Sequence, residues 1–392
     1  MIYLDNAATT MPDPIVVDTM TKYQSSMYGN PGAVYPFGKL AADAVRKARR
    51  QVAEFLRCTP EQIIFTSGGS EANSAVLLGL SNHLQLSGRS DVIVSAVEHD
   101  SVIHAAARLK QLGFRVRYLP VNSEGVVSPA ELEKMISEET GLVSVMWVNN
   151  ETGSVNDVEK IAEICHRHGI LFHTDCVQAA AAFPIDVNQI GCDFLSISSH
   201  KLHGPKGVGA VFARDKALLS PIIFGGDEQE FGLRGGTENV PGIAGFGEAC
   251  EIYRGNTGLT DVASVRNLAS AFYKNLKARL REKGMDGILH VNGQSLSGHP
   301  RKIVNIRLDG IDSETMLLAL GSNALYVSAG SACRSHASEP SRVLTQMGLD
   351  ADQARNSLRV SFSKFNTVLE AIEAARVVAN CAALIRNMEE EE

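Results

Sequence analysis

From residue 61 onward, short apolar runs alternate with stretches in which apolar residues recur every three or four positions. The runs at 63–66, 92–94, 116–119, 142–148 and 170–173 predict strands, and the helical spacing predicts helices over 71–83, 101–112, 129–136 and 158–168. Repetition of this β-α unit implies an α/β fold with a mostly parallel central sheet covered by helices on both faces. Ligands of such sheets bind where strands end and loops begin. After Phe212 the rhythm changes. A Gly-rich stretch over 225–247 leads to Gly255-Asn256-Thr257-Gly258, then to an amphipathic pattern over 261–283, a strand at 303–308, a helix at 313–320 and a strand at 357–362. This second part reads as a smaller α+β domain. The expected division is 13–255 for a large domain, with 1–12 and 256–392 forming the small one.

The chain has 392 residues, more than a single core usually serves. Its 37 Lys and Arg against 44 Asp and Glu leave a net charge of −7, which disfavours direct nucleic-acid binding. No apolar run is long enough to span a bilayer and the start shows no signal-peptide pattern, so the expected location is cytoplasmic, without a membrane partner. Seven scattered cysteines with no C-x-x-C pair fit neither a disulfide framework nor a Cys-rich zinc site. The run Cys165-His166-Arg167-His168 lies on a predicted helix, where adjacent side chains diverge, so no metal is expected. Six cysteines sit in apolar or helical surroundings. Cys333 lies instead among small residues in a loop-like stretch, beside Arg334 and His336, which favour thiolate.

Polar residues gather at the predicted strand ends. Thr66-Ser67-Gly68-Gly69-Ser70-Glu71 opens a helix and suits an anion such as a phosphate, although an ordinary helix cap would look the same. Neither a Walker loop nor G-x-G-x-x-G is present, which argues against a nucleotide. Glu98-His99, Asn149-Asn150-Glu151, Asp175 with Gln178, and Ser198 with His200-Lys201 follow the later strands. A lysine beside an anion cradle and an aspartate suits a Schiff base with pyridoxal phosphate, with Asp175 at the pyridine nitrogen and His99 stacking on the ring and moving protons. Lys206 competes with Lys201 for that role. Arg359, inside the apolar Leu358-Arg359-Val360, calls for an anion, which a substrate carboxylate would supply.

These motifs resemble the cysteine desulfurases of the NifS/IscS type, relatives of the class V aminotransferases that use pyridoxal 5'-phosphate. The likeness runs nearly end to end through Tyr3-Leu4-Asp5-Asn6-Ala7-Ala8-Thr9-Thr10, residues 65–73, Val148-Asn149-Asn150-Glu151-Thr152-Gly153, His173-Thr174-Asp175 with Gln178, 200–209, Arg234 with Gly236-Thr237-Glu238-Asn239, and 328–340. The resemblance implies a PLP-dependent transferase fold of the aspartate aminotransferase type. It also implies that Lys201 carries the cofactor, that Gly69, Ser70, Ser198 and His200 hold its phosphate, and that Thr237 reaches the phosphate of a partner subunit in a homodimer. Asn150 and Gln178 would contact the ring substituents, Asp175 the ring nitrogen and His99 the ring face, while Asn30 and Arg359 would bind the carboxylate of L-cysteine. Cys333 would take the substrate sulfur as a persulfide, releasing L-alanine, and pass it to an acceptor protein such as an iron–sulfur scaffold. A selenocysteine lyase, another class V aminotransferase, or a non-catalytic scaffold of the same fold are the alternatives. The chain departs from the family pattern at Tyr35, Asp227-Glu228, Arg334 and Ser363-Lys364, and at none of Lys201, Asp175, His99 or Cys333.

Overall fold

The short apolar runs, rich in Val, Ile and Phe, form strands, because β-branched and aromatic side chains suit a pleated surface covered on both sides. The computed structural model describes residues 1–254, 256–296, 302–330 and 339–390. Among them the strands are β1 (Ile2–Tyr3), β2 (Ile63–Thr66), β3 (Asp91–Ser95), β4 (Arg115–Leu119), β5 (Thr140–Ser144), β6 (Leu171–Asp175), β7 (Phe194–Ser198), β8 (Gly209–Ala213), β9 (Leu289–Asn292), β10 (Ile303–Leu308), β11 (Leu325–Tyr326) and β12 (Ser357–Ser361).

Seven of these form one sheet in the order β2-β8-β7-β6-β5-β3-β4. Strands β3 to β7 pair in parallel, and β8 alone runs against its neighbours β7 and β2. Side chains alternate across the sheet. Ile93, Val143 and Phe172 therefore enter one hydrophobic core, while Val92, Val94 and Leu142 enter another. The antiparallel sheet β12-β10-β9 packs with helices Asn256–Glu282 and Val368–Glu390 around a separate core that contains Phe272, Val304 and Ala374. The architecture is the expected one, a large mostly parallel sheet with a smaller α+β unit.

Local boundaries differ where tertiary bonds capture the backbone. The helix expected over 71–83 starts at Gly69 and stops at Gly79, whose carbonyl accepts the Ser220 N–H at 2.9 Å; a second short helix, Ser81–Leu86, follows. The strand expected over 142–148 is regular to Ser144, and the Val145 and Trp147 N–H groups still donate to the His173 and Asp175 carbonyls, both at 3.1 Å, beside the Met146 carbonyl that accepts from Asn156 Nδ2 at 2.7 Å. Two helices not anticipated above, Pro14–Ser25 and Pro36–Leu56, precede residue 61. Their cue is chemical: Asp13 caps the first through the Ile15 N–H, and both start with proline.

The N-terminal segment ties the two parts together. Strand β1 pairs with β11, Leu4 enters the smaller core, and Asp5 bridges to Ser361. A few residues later Thr10 N–H donates to the His200 carbonyl at 3.1 Å and Asp13 N–H to that of His203 at 2.8 Å. Residues 5–13 thus lie over the loop that carries Lys201. No helix among the described residues is long and apolar enough to cross a membrane.

Candidate active site

The ends of β2, β3, β6 and β7 surround a cleft of about 190 Å³, closed from above by Ala7 and Ala8. After β2 the chain turns at Gly68, whose φ of +153° is a backbone state for glycine. At Gly69 the constraint is space: a Cβ there would lie 2.7 Å from Val177 Cγ2. Both glycines let the start of helix Gly69–Gly79 approach the cleft, with Gly69 and Ser70 on its wall. The N–H groups of a helix's first turn lack intrahelical partners, so an anion is favoured there. Glu71 accepts from the Ser67 N–H at 2.8 Å and pairs with Arg234 at 3.0 Å, which fixes the turn to the Gly-rich loop.

His99 caps helix Asp100–Gln111. Its Nδ1 accepts the Ser101 N–H at 3.1 Å and lies 2.8 Å from Ser101 Oγ, which leaves Nε2 to carry the ring proton of the neutral form. Asp175 ends β6, with Oδ1 accepting from the Val177 N–H at 2.9 Å and Oδ2 from Asn73 Nδ2 at 2.7 Å. Asn73 also donates to Ser101 Oγ at 2.9 Å. One amide thus couples the carboxylate at β6 to the residue that holds His99.

Ser198 ends β7, and His200 and Lys201 follow on the next turn. Lys201 Nζ donates to the Ala7 carbonyl and to that of Ala8 at 2.6 Å. Burial, with the charges of Lys201 and Lys206 behind it, pushes the His200 imidazole down to about 3, so it is neutral at physiological pH. Gln178 Nε2 donates to the Ala7 carbonyl at 3.0 Å. The side-chain oxygens of Gln178 and Asn150 are buried on the cleft wall with no hydrogen-bond partner among the described residues. Such orphaned acceptors fit an occupied site.

The structure therefore brings Gly69, Ser70, His99, Asn150, Asp175, Gln178, Ser198, His200, Lys201 and Arg359 to one cleft. Lys206 is exposed and does not line it. Asn30 and Thr237 are exposed and lie outside this cleft in the single chain, and Asn30 Oδ1 is spent on the Gly32 N–H at 2.9 Å. Cys333, Arg334 and His336 fall outside the described residues. Arg359 is almost wholly buried and already has an anion: Nη2 pairs with Asp5 at 2.8 Å, and Nη1 donates to the Asn150 carbonyl at 3.1 Å. Cys165, Cys176, Cys192, Cys250 and Cys381 are buried and Cys58 is partly so. Burial pushes the Cys58 and Cys165 thiols up to about 12.

Asn73, Ser101 and the Ala7 and Ala8 carbonyls were not singled out by motif chemistry. For Asn73 the signal was its spacing, since four residues after Gly69 lies on the same helix face. Ala7 and Ala8 act through backbone groups, and the sequence carries no mark of those. Glu98 is fully buried, with one oxygen on the Met146 N–H at 2.6 Å. Burial, with Asp175 adding to it, raises its carboxyl well above the ordinary range.

A mostly parallel sheet with its cleft at the strand ends, an anion cradle, an aspartate at the end of one strand and a lysine on the turn after its neighbour define a class of protein. The chain belongs to the aminotransferase class-V family, whose sequence model matches residues 2–373. It is 38% identical over 391 residues to the cysteine desulfurase IscS of Methanosarcina thermophila, spanning 99% of this chain and 93% of that one. Among solved structures it is similar to one described as a NifS-like protein, with TM-score 0.87 and 32% identity over 97% of this chain and 98% of that one. It is also similar to SspA in complex with cysteine, with TM-score 0.78 and 31% identity over 94% of this chain and 100% of that one.

Proposed function

We propose that the protein is a cysteine desulfurase that uses pyridoxal 5'-phosphate, converts L-cysteine to L-alanine and holds the sulfur on Cys333. The observation that carries this reading is the meeting of Lys201, Asp175 and His99 in one cleft beside the Gly69-Ser70 cradle. Relatives named cysteine desulfurase, and the similar structure that holds cysteine, support the substrate.

The residues present fit the cofactor. Gly69, Ser70, Ser198 and neutral His200 would hold a phosphate, Asp175 a ring nitrogen, and Asn150 and Gln178 the ring substituents, with His99 on the ring face. When bound, pyridoxal phosphate supplies an electron sink next to the substrate's α-carbon. Lys201 is the amine that holds the cofactor and then moves the substrate α-proton on Nζ. His99 moves a second proton through Nε2. The Asp175 carboxylate is fixed in position by two N–H donors. Arg359 binds the substrate carboxylate. At Cys333 an S–S bond forms as the C–S bond of L-cysteine breaks, so that L-cysteine and one thiol become L-alanine and one persulfide. The persulfide then passes to an acceptor protein, such as an iron–sulfur scaffold, from a homodimer in which Thr237 serves the partner's phosphate site.

The test is a spectrum of the cofactor-loaded protein before and after L-cysteine, with alanine and sulfide quantified. Cys333→Ala is expected to keep the visible band and lose sulfide release. Full activity in that variant would overturn the assignment.

A further inference from the structure

His99 stands on the turn between β3 and helix Asp100–Gln111, so the backbone of that turn sets where its ring lies. One side chain from a distant part of the chain grips this turn. Arg342 opens helix Arg342–Gln346, and its Nη1 donates to the Ala96 carbonyl while Nη2 donates to that of Glu98. Nη2 also lies 3.5 Å from Asp100 Oδ1. The guanidinium therefore binds the residues immediately before and after His99.

Neighbouring contacts hold the same turn. Val97, between the two gripped carbonyls, is fully buried and packs in an apolar cluster with Val343, Leu344 and Met347. Ser341, the cap of helix Arg342–Gln346, donates to Glu151 Oε2 at 2.5 Å, and Glu151 follows Asn150 on the cleft wall. From the sheet side, Glu98 Oε1 accepts the Met146 N–H at 2.6 Å. An ordinary surface arginine keeps its head in water. The Arg342 side chain is instead 25% exposed and spends its fork on backbone oxygens, which costs hydration and gains a fixed geometry.

We propose that Arg342 is a positioning residue for His99: its guanidinium fixes the turn that presents the imidazole to the cleft and keeps the ring seated on Ser101. The physical reason is geometric. A planar fork on two carbonyls two residues apart holds the backbone between them in one arrangement, which a single ammonium does not. A group that moves a proton must sit within hydrogen-bond reach of it, so a small displacement of the turn is felt in the rate. Arg342 itself does not line the cleft, and the cradle at Gly69 and Ser70 and the amine of Lys201 are held by other contacts. The inference rests on the reading of His99 as a residue that moves a proton in the reaction.

Two measurements on wild type, Arg342→Met and Arg342→Lys test it. The first variant keeps an apolar stem without the fork, and the second keeps the charge but holds one carbonyl at a time. In cofactor-free protein, hydrogen exchange read by mass spectrometry is expected to quicken by about tenfold over residues 96–102 of the Met variant, with exchange over helix Gly69–Gly79 unchanged. In loaded protein, kcat for L-cysteine is expected to fall by about tenfold or more in the Met variant, with KM and cofactor affinity little changed, and the Lys variant is expected to recover part of the loss. A purely structural role would lower cofactor affinity and melting temperature together and would not separate kcat from KM. Should the Met variant not fold, the Lys variant is read in the same way, with smaller shifts of the same sign. Wild-type exchange over 96–102, or an unchanged kcat where that exchange has quickened, would overturn the proposal. Full activity in His99→Gln would defeat the proton-transfer reading of His99 instead, and the exchange rates would still decide whether Arg342 holds its turn.

Discussion

Asn73 donates from its side-chain amide to Asp175 Oδ2 at 2.7 Å, within the helix that opens the anion cradle. The same nitrogen reaches Ser101 Oγ at 2.9 Å, and Ser101 holds His99. Removing the amide leaves a buried carboxylate one donor short, and a hydrogen bond to a charged group is worth about 1.5–3 kcal/mol. Asn73→Ala is therefore expected to lower kcat/KM for L-cysteine by about tenfold or more while the protein stays folded. Asn73→Asp is expected to be worse, because it sets a like charge against Asp175. Steady-state alanine production with circular dichroism as a control checks both.

Asp5 and Arg359 make the opposite kind of prediction for binding and stability. The guanidinium side chain is 2% exposed and Asp5 is its carboxylate partner, so an incoming substrate carboxylate must share that cation. Asp5→Asn is expected to lower stability by about 3 kcal/mol, the usual cost of leaving a buried charge unpaired. It is also expected to lower KM for L-cysteine, because the substrate no longer competes with Asp5. Urea unfolding and initial-rate kinetics on the same preparation measure the two effects, and a raised KM at unchanged stability would contradict this account.

The Asp5–Arg359 pair also shows where sequence reading stops. An arginine inside Leu358-Arg359-Val360 was visible as an expensive cation in need of an anion, and the strand ends that carry His99, Asp175 and Lys201 were visible as a register of polar residues. The fold class followed from the same alternation of short apolar runs and helical spacing. The partner of Arg359 was not visible, because Asp5 lies 354 residues away and reaches it only through the β1–β11 pairing and the bridge to Ser361. Lys302 was hidden for a similar reason. A lysine at a strand start normally reaches solvent, whereas this one is buried beside a small cavity that Phe362 and Tyr253 also line.

Stability is expected to depend on pH through histidines that cannot charge in the folded chain. His173 is fully buried between Ser144 Oγ at 2.8 Å and Ser196 Oγ at 3.0 Å, and burial lowers its imidazole from 6.5 to about 3. The unfolded chain takes up this proton below pH 6.5 and the folded chain does not until about pH 3. The contribution of His173 is thus complete above pH 6.5 and is lost as pH falls through that window, at about 1.4 kcal/mol per pH unit. His200 and His203 act with the same sign. Glu98 opposes them: its folded carboxyl stays protonated above 4.5, so its contribution is full below 4.5 and is lost as pH rises. Between pH 6.5 and about pH 5, wild type is expected to lose about 2 kcal/mol more unfolding free energy than His173→Gln, measured by urea titration. Equal slopes would show that His173 charges in the folded state.

The contact between Gly69 and Val177 decides how closely the anion cradle approaches β6. A Cβ at residue 69 would sit 2.7 Å from Val177 Cγ2 and 3.5 Å from Ser198 Cβ. Gly69 is a regular residue of helix Gly69–Gly79, so alanine there meets a collision and not a forbidden backbone angle. Overpacking of this size costs about 1–3 kcal/mol, and the shift displaces N–H groups that would hold the cofactor phosphate. Gly69→Ala is expected to weaken binding of pyridoxal 5'-phosphate by about tenfold, measured by titration of the cofactor-free protein. Trimming the obstacle makes room for the methyl group, so Val177→Ala in the same chain is expected to restore most of the affinity. Because the two residues touch, their effects couple. A double variant whose loss equals the sum of the single losses would place the defect of Gly69→Ala elsewhere than in this contact.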